Sequence, residues 1–281
     1  MADYSAELLL GSIDFHLHAS PDPYRERSAD AHEVALQARA GGMKGIVLKS
    51  HAYPTAPLAQ IIKKVVPGIE VIGGLALNRE MGGINPYAVE VSARLGGKVL
   101  WMPTTSSVAA RKRKGFSDGG IAICGENQGI SSEVKEVLAL VKEFDLVLCT
   151  GHLVQEEIIS LFAEARKMKI SKFVLTHPLK LAGTSIDLKT QKAMADQGAF
   201  MEHCFLATTP NSGNMDPAKI VEAIRFVGAE QCLLSTDFGK PADPPPWEGM
   251  REMIITMSHY GLTRKELNLL VKENPAKLLN I

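Results

Sequence analysis

Eight short apolar runs, each followed by a segment with apolar residues at three-to-four spacing, limit most strongly what this chain can fold into. The strand-like runs are Ser12–His18, Gly45–His51, Glu70–Leu77, Lys98–Pro103, Leu146–His152, Lys172–His177, Ala199–Phe205 and Cys232–Asp237. Helical spacing covers Ala29–Ala40, Pro57–Val66, Pro86–Leu95, Ser132–Phe144, Gln155–Met168, Asp187–Gln197 and Asp216–Val227. Ser132 can cap one helix, and Asp216-Pro217 reads as N-cap and first helical residue of another. Gly41, Gly96 and Gly198 fall where helices should end. Strand followed by helix, repeated in this way, is the pattern of an α/β (β/α)8 TIM barrel. The 281 residues are somewhat more than the ~250 usual for one. No repeat, linker or composition break divides the chain, so residues 1–281 are expected to form one domain.

Two segments depart from the repeat. Thr104–Ile130 is a long excursion after the fourth strand, rich in Ser, Lys, Arg and Gly, in which Gly119–Gly129 suits a small hairpin. Its length and its place on the rim make it a candidate lid. The basic run within it, Arg111-Lys112-Arg113-Lys114, is read as a solvated loop rather than an anion-binding lid. After the eighth strand, Pro241-Ala242-Asp243-Pro244-Pro245-Pro246 makes a rigid turn into the last barrel helix, near Trp247–Tyr260. A C-terminal helical extension, Leu262–Leu279, follows, and Thr263-Arg264-Lys265-Glu266 fits a capping box.

Charge excludes some partners. Lys+Arg and Asp+Glu each number 31, so no net charge draws the chain to nucleic acid or an anionic membrane. No apolar run reaches the ~18 residues of a membrane span, and the first residues do not resemble a secretion signal. With 46% apolar and 22% charged residues, the expectation is a cytoplasmic globular protein that acts on a small molecule; a homo-oligomer is compatible with it. The cysteines at 124, 149, 204 and 232 form no C-x-x-C pair, and the last three sit in apolar runs as buried thiols.

The histidines carry the chemistry. His16, His18, His51, His152 and His177 lie at or near the C-terminal ends of strands, where barrels build their active sites. His203 is also near a strand end, whereas His32 and His259 lie in helices and read as surface residues. His16 and His18 are two apart on a strand, so both imidazoles face one side, as a zinc-like ion needs. Asp14 shares their parity and is placed to orient one ring. Glu202 and His203 must point opposite ways; Glu202 is preferred as the polar site residue. Asn78 and Glu80, just past the third strand, either line the barrel mouth or belong to a solvated loop.

Asp14-Phe15-His16-Leu17-His18, Thr150-Gly151-His152, Leu175-Thr176-His177, Ser235-Thr236-Asp237 and the closing Glu273-Asn274-Pro275-Ala276-Lys277-Leu278-Leu279 together resemble the amidohydrolase superfamily of metal-dependent hydrolases. Local phrases such as Val47-Leu48-Lys49-Ser50-His51 and Trp101-Met102-Pro103-Thr104 are similar to an uncharacterised branch of it. The resemblance implies a distorted TIM barrel with a metal on His16, His18, His152 and Asp237, and His177 beside it. Two-metal members carry a bridging lysine or glutamate on the fourth strand, and Trp101-Met102-Pro103-Thr104 has none. One divalent ion is therefore expected, zinc by donor type, with manganese, iron or nickel able to use the same ligands. Lys49 is the alternative bridge; Lys49, His51 and Glu202 are candidates for substrate or a second metal.

The resemblance implies a hydrolase, with a metal-activated water attacking an amide, cyclic amide, lactone or ester. Asp237 would take the water's proton, and His177 would stabilise charge or relay the proton. Ser235-Thr236-Asp237-Phe238 is also similar to the corresponding phrase of single-metal decarboxylases of small aromatic or unsaturated acids. Lys49 or an arginine within 111–113 could then meet a second acid group. A phosphoesterase ranks lower, because Ala76-Leu77 and Asp237-Phe238-Gly239 stand where its carboxylate and Asp-x-His would be. A non-catalytic metal-binding barrel is the remaining alternative.

Overall fold

The computed structural model describes residues 4–117, 119–125, 129–179 and 185–281. Its strands are β1 (Ile13–Leu17), β2 (Gly45–Leu48), β3 (Glu70–Ile72), β4 (Gly74–Ala76), β5 (Val99–Trp101), β6 (Val147–Cys149), β7 (Phe173–Thr176), β8 (Phe200–Cys204) and β9 (Cys232–Ser235). Each expected strand is present. The third is broken in two at Gly73, where an added Cβ would lie 2.5 Å from the Ala56 backbone. Thr55 docks there, its Oγ1 accepting from the Gly74 N–H at 2.9 Å.

The chain forms two compact units. The first comprises Met1–Lys49, Leu58–Ile72 and Glu202–Ile281; the second comprises Ser50–Pro57 and Gly73–Met201. In the first, β1, β2 and β3 pair in parallel, with Ile13 opposite Gly45 and Gly45 opposite Glu70. The β1–β2 register is irregular between Asp14 and Leu17, the stretch that carries His16. Such irregularities re-aim side chains and occur often beside active sites. The exit of β9 joins β1 through a parallel bridge between Leu17 and Phe238. In the second unit, β4, β5, β6 and β7 pair in parallel, with Leu75 opposite Leu100, Leu100 opposite Leu148 and Cys149 opposite Val174. Apart from Glu70, every strand residue is buried, as expected of parallel strands covered on both faces.

Helices follow the apolar spacing. Asp216 accepts from the Ala218 N–H at 2.9 Å and opens Pro217–Val227, while Thr263 and Glu266 close a capping box. Ser131, not Ser132, caps the helix Ser132–Glu143. Two helices were not legible: Ser5–Leu9, and Val108–Arg113 within the Thr104–Ile130 excursion. The latter corrects the reading of the basic run as a loop. Arg111 to Arg113 form its last turn, where cations meet the helix dipole favourably, and the Arg111 guanidinium lies 4.3 Å from the Phe116 ring. Of the expected hairpin, Cys124 and Ile130 bridge antiparallel; its residues 126–128 lie outside the described residues. The C-terminal extension runs through a π-helical turn, Leu269–Glu273, into Asn274–Leu279. Buried Asn274 donates to the carbonyls of Ala229 and Cys232 at 2.8 and 2.7 Å, fastening the extension to the start of β9. Among the described residues, no helix is long and apolar enough to cross a membrane.

Candidate metal centre

β1 carries Asp14 and His16, and His18 follows directly after it on the same parity, all three buried. Hydrogen bonds decide which nitrogen each ring offers. His16 Nδ1 lies 3.2 Å from Glu202 Oε1, and His18 Nδ1 lies 2.9 Å from the Lys49 carbonyl. Carbonyls and carboxylates accept, so each Nδ1 carries a proton and donates, and Nε2 is the atom each ring could offer to a metal. Both face Asp237 Oδ1, His16 Nε2 at 3.1 Å and His18 Nε2 at 3.3 Å. The Lys49 ammonium, also buried, donates to His16 Nε2 at 3.1 Å.

Burial pushes the His18 pKa down to about 3 against the pull of Asp237, so the ring is neutral and can act as a ligand. At His16 burial acts the same way, but Asp237 and Glu202, opposed by Lys49, outweigh it and the pKa is raised. A cation seated between Nε2 and Asp237 would compete with a proton for the Nε2 lone pair.

Asp14 was expected to orient a ring. Its carboxylate instead accepts from the His16 N–H at 3.2 Å, the Thr236 N–H at 3.0 Å and the Thr236 hydroxyl at 2.5 Å, so it ties the backbone of β1 to the end of β9. Burial, only partly offset by these bonds, raises its pKa to about 6. Ring orientation falls to Glu202, fully buried on β8 and steadied by the Ser235 hydroxyl at 2.7 Å. His203, on the opposite parity, is buried with both ring nitrogens lacking a hydrogen-bond partner among the described residues; burial lowers its pKa to about 4.

The position of Asp237 depends on the chain's path after β9. Its N–H donates to the His16 carbonyl at 2.7 Å, and the His18 N–H donates to the Phe238 carbonyl at 2.7 Å. Asp237 has φ +56°, a strained conformation typical of functional positions. Gly239 follows with φ +133°, and a Cβ there would lie 2.1 Å from the His18 carbonyl oxygen. Only glycine lets the two backbones approach this closely.

Cys204 was not among the expected site residues but lies beside them. Its sulfur lies 3.8 Å from His16 Nδ1, and His16, Cys204 and Asp237 offer ligand atoms within 4.8 Å of one another. Its parity with Glu202 was the available signal. Cys149 and Cys232 are buried and take part in no disulfide, as expected.

The second unit holds His51, His152 and His177. The His152 ring centroid lies 5.0 Å from that of His177 and 6.2 Å from that of His51. Gly151, at φ +61°, comes so close to β5's exit that a Cβ would meet the Met102 carbonyl oxygen at 2.3 Å. His152 then bonds through its N–H to Pro103 and through its carbonyl to the Ser107 hydroxyl, both at 2.9 Å. His177 has φ +37° and is buried. Asn78 is fully buried, whereas Glu80 is exposed.

The donors of the first unit suit a divalent ion. Imidazole nitrogen, carboxylate oxygen and thiolate sulfur are zinc's usual ligands, and imidazole with carboxylate also serves other transition metals. Glu202→Gln should weaken metal binding by roughly 10–100-fold, the usual effect of losing a ligand's orienting partner. A chelator titration checks this, and unchanged affinity would deny Glu202 the role.

A family model described as "Family of unknown function (DUF6282)" matches residues 11–202. No curated protein matches the chain. Solved structures do. The probable dipeptidase PvdM from Pseudomonas aeruginosa is 11% identical, with 98% of this chain and 96% of that one covered and a TM-score of 0.71. An amidohydrolase from Pseudomonas aeruginosa is 14% identical, with 98% of both chains covered and a TM-score of 0.67. A 2,6-dihydroxybenzoate decarboxylase, solved with 2,6-dihydroxybenzoate, is 12% identical, with 97% of this chain and 100% of that one covered and a TM-score of 0.59. At these identities the likeness is one of fold, the distorted (β/α)8 barrel. The chain belongs to the family of unknown function DUF6282, and its fold is that of the amidohydrolase superfamily.

Proposed function

We propose that the protein is a metal-dependent hydrolase that cleaves an amide, cyclic amide, lactone or ester of a small molecule. The observation that carries this is the convergence of His16 Nε2 and His18 Nε2 on Asp237 Oδ1, at 3.1 and 3.3 Å. These residues would hold the ion. A bound divalent ion lowers the pKa of a coordinated water towards ~7 and polarises the substrate oxygen. Asp237 takes the proton of the attacking water, and Glu202 keeps the His16 ring in its donor orientation. For His152 as a further ligand and His177 as the group that stabilises charge, the warrant is their sequence motifs.

A second reading keeps the metal and changes the reaction to decarboxylation of a small acid. Lys49 favours it, because an ammonium buried beside His16 would pair with a substrate carboxylate. Release of carbon dioxide, measured on a panel of esters, lactones, amides and aromatic acids, separates the two readings.

Metal analysis of protein purified without chelator tests the shared premise. About one equivalent per chain is expected, as for other sites with roughly three protein ligands and an open position. Stripped protein should regain thermal stability with zinc, manganese or nickel, since an ion that binds the folded state alone stabilises it. Metal-free protein that gains nothing from these ions would end both readings. Two equivalents would instead make Lys49 the candidate bridge. The same analysis on His152→Ala and His177→Ala should show metal loss in the first and retention in the second.

A further inference from the structure

Cys204 ends β8 on the parity of Glu202, so both side chains leave the strand on the face that meets His16. Glu202 Oε1 accepts from His16 Nδ1 at 3.2 Å, and Cys204 Sγ lies 3.8 Å from the same nitrogen. Three donors come together here. A ring nitrogen of His16, Cys204 Sγ and a carboxylate oxygen of Asp237 lie within 4.8 Å of one another, and all three residues are buried. His18 Nε2 reaches the same carboxylate at 3.3 Å, and all four residues belong to the first compact unit. Zinc bonds to nitrogen and oxygen run about 2.0–2.2 Å and to sulfur about 2.3 Å, which puts the donors of one tetrahedral ion roughly 3.3–3.6 Å apart. The 3.1 Å between His16 Nε2 and Asp237 Oδ1 and the 3.8 Å between Cys204 Sγ and the His16 ring bracket that spacing.

We propose that Cys204 is a thiolate ligand of the metal centre, beside His16, His18 and Asp237, and that its sulfur biases the centre towards zinc and against manganese. The inference rests on the metal-centre reading above. Sulfur binds an ion as the thiolate: the metal–sulfur bond forms, the S–H bond breaks, and the proton leaves to solvent. No electron is transferred. A soft thiolate suits zinc, whereas manganese prefers oxygen donors.

Cobalt(II), added to the metal-stripped full chain, is the probe. A cobalt–thiolate bond absorbs in the near ultraviolet by charge transfer from sulfur, a band that nitrogen and oxygen ligands alone do not give. The wild type should develop this band as cobalt binds, and Cys204→Ser should bind cobalt without it. Glu202→Gln should keep the band, because it removes an orienting partner and not the sulfur. Zinc affinity of Cys204→Ser should fall by at least the roughly 10–100-fold that losing a ligand's orienting partner costs, and manganese affinity by less. X-ray absorption of the zinc-loaded wild type needs no variant and should find one sulfur at about 2.3 Å. Cobalt bound without the band, a band that survives Cys204→Ser, a zinc shell of nitrogen and oxygen alone, or equal losses of zinc and manganese affinity would each overturn the inference and leave the metal-centre reading standing. A wild type that binds neither cobalt nor zinc would sink that reading, and the inference with it.

Discussion

Asp237→Asn is expected to keep the fold and most of its metal while turnover falls by about 10²–10⁴-fold, the range that general-base help supplies. His16 and His18 remain in the variant, and the amide can still present an oxygen where Oδ1 now faces both Nε2 atoms. What it cannot do is take a proton. His18→Ala provides the contrast, because it removes a ligand nitrogen and should lose metal and activity together. Metal content, melting temperature and rate, measured side by side on whichever ester, lactone, amide or acid the wild type turns over, distinguish the roles. Near-normal turnover in Asp237→Asn would show that Asp237 is not the base.

Gly239→Ala should damage the same centre without touching a ligand. The added methyl would sit 2.1 Å from the His18 carbonyl oxygen, at a φ of +133° that side chains avoid. The backbone conformation alone costs on the order of 1–3 kcal/mol, and relieving the overlap means moving β9's exit away from β1. A destabilisation of about 3 kcal/mol or more by urea unfolding is expected, a size that marks backbone strain and core disruption. Metal affinity should fall with it, because the displaced segment carries Asp237. Wild-type stability and affinity in this variant would mean that the contact between the two backbones is not what sets the ligand geometry.

Periodicity made the architecture legible. Apolar runs bounded by glycine and proline located the strands, and three-to-four spacing located the long helices. The spacing of Asp14, His16 and His18 placed them on one face. Elsewhere the physics is not local. Val108–Arg113 is short and ends in a basic run that resembles a solvated loop, so nothing in its pattern announced the helix that Ser107 caps. Along β8 both faces are buried, so alternation could not say whether Glu202 or His203 pointed inward. Asp14 had the right parity but found backbone partners, a choice made by Thr236, 222 residues away in sequence. Cys204 read as a core thiol because its apolar neighbours are indeed core.

The latch between β1 and β9 also imposes a timetable. His16 and His18 leave the ribosome early, and Asp237 follows only after more than two hundred further residues have been joined. Until β9 is made and Asp14 grips Thr236, the two imidazoles lack the carboxylate that completes their grasp. An ion meeting the growing chain would find two loosely held donors and would readily leave again. On the proposed reading, loading would therefore belong to the finished polypeptide, because a product cut short before β9 lacks Asp237.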